Sequence, residues 1–112
     1  MTVKACVLAF AVLAFAGSAT TVRAADSATV TITLKDNRFQ PAEPHVPAGK
    51  AITIVVKNLG PAPAEFESNM LRVEKVVTAG GTITMQIRPL GPGRYRFFND
   101  FHPETVGYLV VQ

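Results

Sequence analysis

An all-β sandwich is the fold class this sequence predicts, on two observations. Apolar and polar residues alternate with period two along most of the chain, and Gly/Pro clusters interrupt that alternation at intervals of about 8–12 residues. Strands of this kind present one face to a core and the other to solvent, so they need a second sheet to cover them. No segment carries a sustained helical period.

Taken in order, Thr29 to Leu34 places Val30, Ile32 and Leu34 on one face. Ala51 to Val56 is rich in β-branched residues and follows the Pro47-Ala48-Gly49-Lys50 turn. Leu71 to Val77 and Thr82 to Ile87 alternate again, joined through Gly80-Gly81, and Met85 falls on a core position. Arg94 to Phe98 and Tyr108 to Val111 complete the predicted strands. The run Leu90-Gly91-Pro92-Gly93-Arg94-Tyr95 resembles a tyrosine corner, in which the phenol bonds back to the backbone at a Greek-key crossover. The chain therefore reads as one Greek-key β-sandwich domain.

Residues 1–25 read as a cleaved signal peptide, which leaves 26–112 as the domain. Lys4 is its positive start, Ala5 to Ala16 its apolar stretch, and Val22-Arg23-Ala24 a small-x-small cleavage site. The apolar run is too short to span a bilayer. Cys6 leaves with it, so the exported chain has neither a disulfide nor a cysteine site. Removing Lys4 and Arg23 leaves nine basic side chains against eight acidic ones, which gives no case for nucleic-acid binding. No serine stands in a nucleophile motif and no phosphate-cradling glycine motif is present.

Candidate site residues cluster in two stretches. Glu65 and Glu67 are two apart and share a face if they lie on a strand; Asn69 and Met70 follow. Asp100, His102 and Glu104 repeat that spacing near the C-terminus. Carboxylates with one imidazole form a hard-to-borderline donor set suited to iron, manganese or Cu(II), and Met70 is the soft donor nearby. The plainer reading of Glu65 and Glu67 is a solvated strand face, of Asp100 a turn cap, and of His45 and Arg72, Arg88, Arg94 and Arg96 exposed surface.

From Phe39 to Val111 the chain resembles the cupredoxins, Greek-key sandwiches that hold copper at one end. The residues that carry this are Phe39-Gln40-Pro41, Val46-Pro47-Ala48-Gly49, Asn58, the tyrosine corner, and Tyr95-Arg96-Phe97 leading to His102 and Gly107. Within that group, Pro63 to Ser68, Glu74-Lys75-Val76-Val77 and Asp100-Phe101-His102-Pro103 are similar to EfeO-type periplasmic proteins of bacterial iron-uptake systems. The resemblance implies a periplasmic metal-binding protein that takes copper and/or iron through Glu65, Glu67, Met70, Asp100 and His102. It also implies that the protein assists a membrane iron permease. A copper-dependent ferroxidase or electron-transfer component is the alternative it allows, and homodimerisation stays open. Against the blue-copper ligand set, His102 matches the second histidine and Asn99 stands where the cysteine would be. The first histidine would fall within Ala64-Glu65-Phe66-Glu67, where the carboxylates are the candidate donors. No methionine follows His102.

Overall fold

The computed structural model describes residues 2–4, 9, 11–19 and 27–112. Cys6, the expected cleavage site and the domain boundary after residue 25 lie outside the described residues. From Ser27 the chain forms β1 (Ser27–Lys35), β2 (Arg38–Gln40), β3 (His45–Val46), β4 (Ala51–Asn58), β5 (Ala64–Ser68), β6 (Val73–Val77), β7 (Thr82–Ile87), β8 (Gly93–Asn99) and β9 (His102–Val111). Among the described residues there is no helix.

The strands make two sheets, ordered β2-β1-β4-β7 and β3-β9-β8-β5-β6. β1 and β4 run parallel from Ser27 opposite Ala51 to Leu34 opposite Asn58, and β3 runs parallel to β9. The other pairings are antiparallel. The chain passes from the first sheet at β4 to the second at β5–β6, returns at β7, and crosses again to β8–β9. The sandwich predicted from alternation is the fold observed.

Alternation packs the core. Ile32 and Leu34 of β1, Ile52, Ile54 and Val56 of β4, and Met85 and Ile87 of β7 are buried against Phe66, Val77, Phe97, Leu109 and Val111 of the other sheet. Phe39, Phe66 and Phe97 meet at its centre. The Phe66 and Phe97 rings stack at 5.0 Å, and Phe39 stands edge-on to each, 5.9 and 5.0 Å away. Such pairs are worth about 0.5–1.5 kcal/mol each beyond the area they bury. Gly107 lies across from Phe97, and a Cβ there would press into that ring and sit 2.8 Å from the Ala42 carbonyl oxygen. The Tyr95 hydroxyl donates to the Gly91 carbonyl at 2.9 Å, the bond expected of a tyrosine corner.

The short strands β2 and β3 were not expected from the sequence, several strands run a residue or two longer than expected, and three further differences have a local cause. β5 buries an alanine and a serine beside its phenylalanine, so its apolar signal is faint. β9 starts at His102, not Tyr108, because its first turn is His102-Pro103-Glu104, an exposed run without apolar alternation. Proline is tolerated so near a strand's start. Leu71 and Arg72 stand outside β6, since Arg72 takes a φ of 56° that no strand residue adopts.

Candidate metal centre

The period of β5 sends its side chains two ways. Ala64, Phe66 and Ser68 are buried, while Glu65 and Glu67 stand on the outer face of the five-stranded sheet. β6 pairs with it so that Glu74 lies opposite Glu67 and Val76 opposite Glu65, which puts Glu74 on the same outer face. Asp100 arrives from the two-residue turn between β8 and β9, and its N–H donates to the Glu65 carbonyl at 2.9 Å. Glu65, Glu67 and Asp100 each offer a carboxylate oxygen, and these lie within 4.8 Å of one another.

This crowding is electrostatically uncompensated. Glu65 is held above the ordinary carboxylate range, chiefly by hydrogen-bond contact with the Glu74 carboxyl, then by partial desolvation and by the charges of Glu74, Asp100 and Glu67. Glu67 is also raised, first by partial desolvation and then by Asp100 and Glu74. Among the described residues no lysine or arginine nitrogen comes within 4.0 Å of these four carboxylates; Arg94 with Glu43, 2.6 Å apart, forms the basic–acidic pair elsewhere. Arg72 shares a shallow depression with Glu67 and Glu74 without closing an ion pair.

The inward side of the same strands is different. Asn99 is buried, and its Oδ1 accepts the Glu65 N–H at 3.0 Å and the Phe101 N–H at 3.2 Å. One bond shapes the local turn and the other ties that turn to β5, so Asn99 fixes Asp100 beside Glu65. Asn58 plays a similar part at the end of β4. Its Nδ2 donates to the Ala62 and Val77 carbonyls at 2.8 and 3.2 Å, and its Oδ1 accepts the Gly60 N–H at 2.9 Å. Asn58, Ala64, Asn99, His102 and Asp36 line a cleft of ≈ 330 Å³ at this end of the sandwich.

The five residues expected to form one site therefore divide. Glu65, Glu67 and Asp100 come together. His102 does not join their cluster: it lies opposite Asn99 across the tight turn and follows it to the cleft side. There its Nδ1 is 3.6 Å from the Glu104 carboxylate. Met70 is half exposed on the turn between β5 and β6. The expectation that carboxylates replace the first copper histidine is also revised. Of Ala64 to Glu67, Ala64 enters the cleft beside Asn99 and His102, while both glutamates face away. Glu74 was missed as a site residue. Counting the hairpin register back from Glu67 across the Asn69–Arg72 turn would have found it.

Residues 5–111 match the family model described as a cupredoxin-like domain. The chain belongs to the cupredoxin-like family. An uncharacterized protein of Rickettsia prowazekii (strain Madrid E) is 39% identical to it over 83 residues, which cover 73% of this chain and 66% of that protein. The chain thus spans a little under two thirds of that relative's length. Among solved structures, the Cu(I) form of an amicyanin variant superposes with a TM-score of 0.62 at 20% identity, covering 80% of this chain and 86% of that one. A heme-copper terminal oxidase dimer gives 0.64 at 14% identity, over 76% of this chain and 65% of that one. At these identities the likeness is one of fold.

The residues do not fit the blue-copper centre of the cupredoxins. Such a centre needs a thiolate and two imidazoles. Its cleft here offers an alanine, an amide and a single imidazole. The amide oxygen is already engaged by two backbone donors. Among the described residues, no buried side-chain nitrogen or oxygen lacks a hydrogen-bond partner, so no buried donor of the cleft is left over to hold copper.

Proposed function

We propose that this protein is an exported metal-binding member of the cupredoxin-like family. In this reading it holds a divalent transition ion on Glu65, Glu67 and Asp100 and serves a membrane iron-uptake permease of the kind EfeO-type proteins accompany. One observation carries the metal site: three carboxylate oxygens within 4.8 Å of one another on a rigid sheet face, with no lysine or arginine of the described residues in ion-pair contact with them. A metal ion would supply that charge. Three oxygen donors of this hardness favour Fe(II), Mn(II) or Cu(II) over Cu(I). The family supports copper; the iron role and the permease partner rest on the narrower resemblance of Pro63 to Ser68 and Asp100 to Pro103.

Calorimetry tests the site directly. One ion should bind per chain, with Cu(II) tightest, Fe(II) weaker and Mn(II) weakest, the order general to such donors. Glu67→Gln should weaken each by about tenfold or more, since loss of an outer partner of a ligand already costs 10–100-fold. Absence of heat with all three ions would end the proposal. Iron uptake unchanged in cells lacking the chain would end its permease part alone.

A further inference from the structure

Sheet edges are open backbone, and proteins protect them with short strands, prolines or inward charges. Among the described residues the two sheets present four edges, and three carry such devices. β2 has three residues and runs into Pro41; β3 has two, set between Pro44 and Pro47. β6 points Lys75 to the core side, opposite Phe66.

β7 carries none. Its six residues, Thr82-Ile83-Thr84-Met85-Gln86-Ile87, include no charge and no proline. They pair with β4 in unbroken register on one side, from Lys57 opposite Thr82 to Ile52 opposite Ile87. On the other side a groove of ≈ 330 Å³ runs between Thr84, Met85 and Gln86 and the Arg72, Glu74 and Lys75 of the second sheet, and no strand pairs with β7 there. Ile83, Met85 and Ile87 alternate inward with Thr82, Thr84 and Gln86 outward, so the strand is β-prone on both faces.

We infer that β7 is a homodimer edge: two copies of the chain join by antiparallel pairing of β7 with β7, extending each four-stranded sheet into one of eight. Self-complementarity selects the occupant. With Thr84 opposite Thr84 of the copy, Ile83 meets Met85 and Thr82 meets Gln86. A shift to Met85 opposite Met85 sets Thr84 against Gln86 and Ile83 against Ile87. Either register keeps the apolar side chains on the core side of both copies and opposes no two charges in the strand. The same operation at β6 would set Lys75 against Lys75 or Glu74 against Glu74. The contact is isologous and closes, so it yields a dimer and not a fibre.

The test is sedimentation of the chain, purified as the cell processes it, beside the double variant Thr84→Lys with Gln86→Lys. These lysines lie on the solvent face and oppose one another in both registers. The parent should sediment as a dimer and the variant as a monomer with an unchanged β-sheet circular dichroism spectrum. In the parent, the β7 amides that do not bond to β4 should be protected from hydrogen exchange at high concentration and lose that protection on dilution. This exchange measurement needs no variant, so it decides even where the double substitution impairs folding. A monomeric parent at its highest soluble concentration overturns the inference. So does a dimer that the lysines leave intact, or one whose β7 amides exchange freely.

Discussion

The two faces of β5 are a few ångströms apart and obey opposite rules. On the inner face, Ala64, Phe66 and Ser68 sit among neighbours that meet every need: the rings of Phe39 and Phe97, the Arg96 carbonyl that accepts the Ser68 hydroxyl, and the amide of Asn99. On the outer face, Glu65 and Glu67 stand with Glu74 and Asp100, like charges forced together with no ion pair to a described residue. Folding explains the first arrangement. It does not explain the second, which costs the protein stability at neutral pH. Groups that a fold holds at its own expense are the natural candidates for binding. The residue that links the faces is Asn99, whose inward amide keeps Asp100 against β5.

The largest effect should follow from breaking that link. Asn99→Leu fills the same space without an acceptor and strands the N–H groups of Glu65 and Phe101. An unpaired buried donor costs about 1–3 kcal/mol, and of these two only the half-buried Glu65 N–H is shielded from water, so unfolding by denaturant should show a loss of about 1–2 kcal/mol. Ion binding should weaken as well, because Asp100 is no longer fixed beside Glu65. Asn99→Asp keeps the acceptor but adds a buried carboxyl beside Glu65 and Asp100, so it should recover stability only in acid, where that carboxyl is protonated. If the leucine variant is as stable as the parent, the two faces are not coupled through this side chain.

A smaller effect, of opposite sign on the two readouts, should come from the outer face alone. Glu67→Gln removes one of the crowded charges, so the ion-free protein should melt at a higher temperature while its ion affinity falls. Proton linkage predicts the same behaviour. Glu65 and Glu67 have carboxyls raised in the folded state, so the fold holds protons that the unfolded chain releases. Their contribution is fully present below the ordinary glutamate range and is lost as pH rises through their raised values. The ion-free protein should therefore gain stability when acidified from neutrality toward that range. Because both groups are exposed, added salt should shrink the gain. A bound ion should abolish it. A melting temperature that is flat with pH across this window would mean the carboxylates are solvated and apart.

How far these two faces could be read from sequence follows from the same alternation. β1, β4, β7 and β8 announce themselves because an apolar residue, buried or half-buried, recurs at most alternate positions. The tyrosine corner is legible because its bond is local, four residues back from Tyr95 to Gly91. Glu65 and Glu67 sharing a face follows from their spacing once β5 is a strand. The side of the sheet on which His102 falls is not legible. It depends on β9 starting immediately after a two-residue turn, and on an irregular register between Phe98 and Asn99. Sequence spacing joined Asp100 and His102 as a like-facing pair; the turn separates them. Glu74 was hidden for a related reason, since a cross-strand neighbour is close in register and distant in sequence.

The smallest expected effect separates the two sites most cleanly. If the ion sits on the outer carboxylates, His102→Ala should leave its affinity and stoichiometry unchanged, because the imidazole lies on the cleft side with Glu104 as its near partner. The substitution exposes no buried donor, so stability should also hold. A fall in affinity comparable to that of Glu67→Gln would mean the turn rearranges on binding and carries His102 around to the carboxylates, restoring the single mixed oxygen and nitrogen site that the sequence spacing suggests. Titrating Zn(II), a diamagnetic stand-in that takes the same oxygen and nitrogen donors, while following the His102 ring resonances by NMR distinguishes the cases directly. A distant imidazole keeps its shifts, whereas a ligand changes or broadens at the first equivalent.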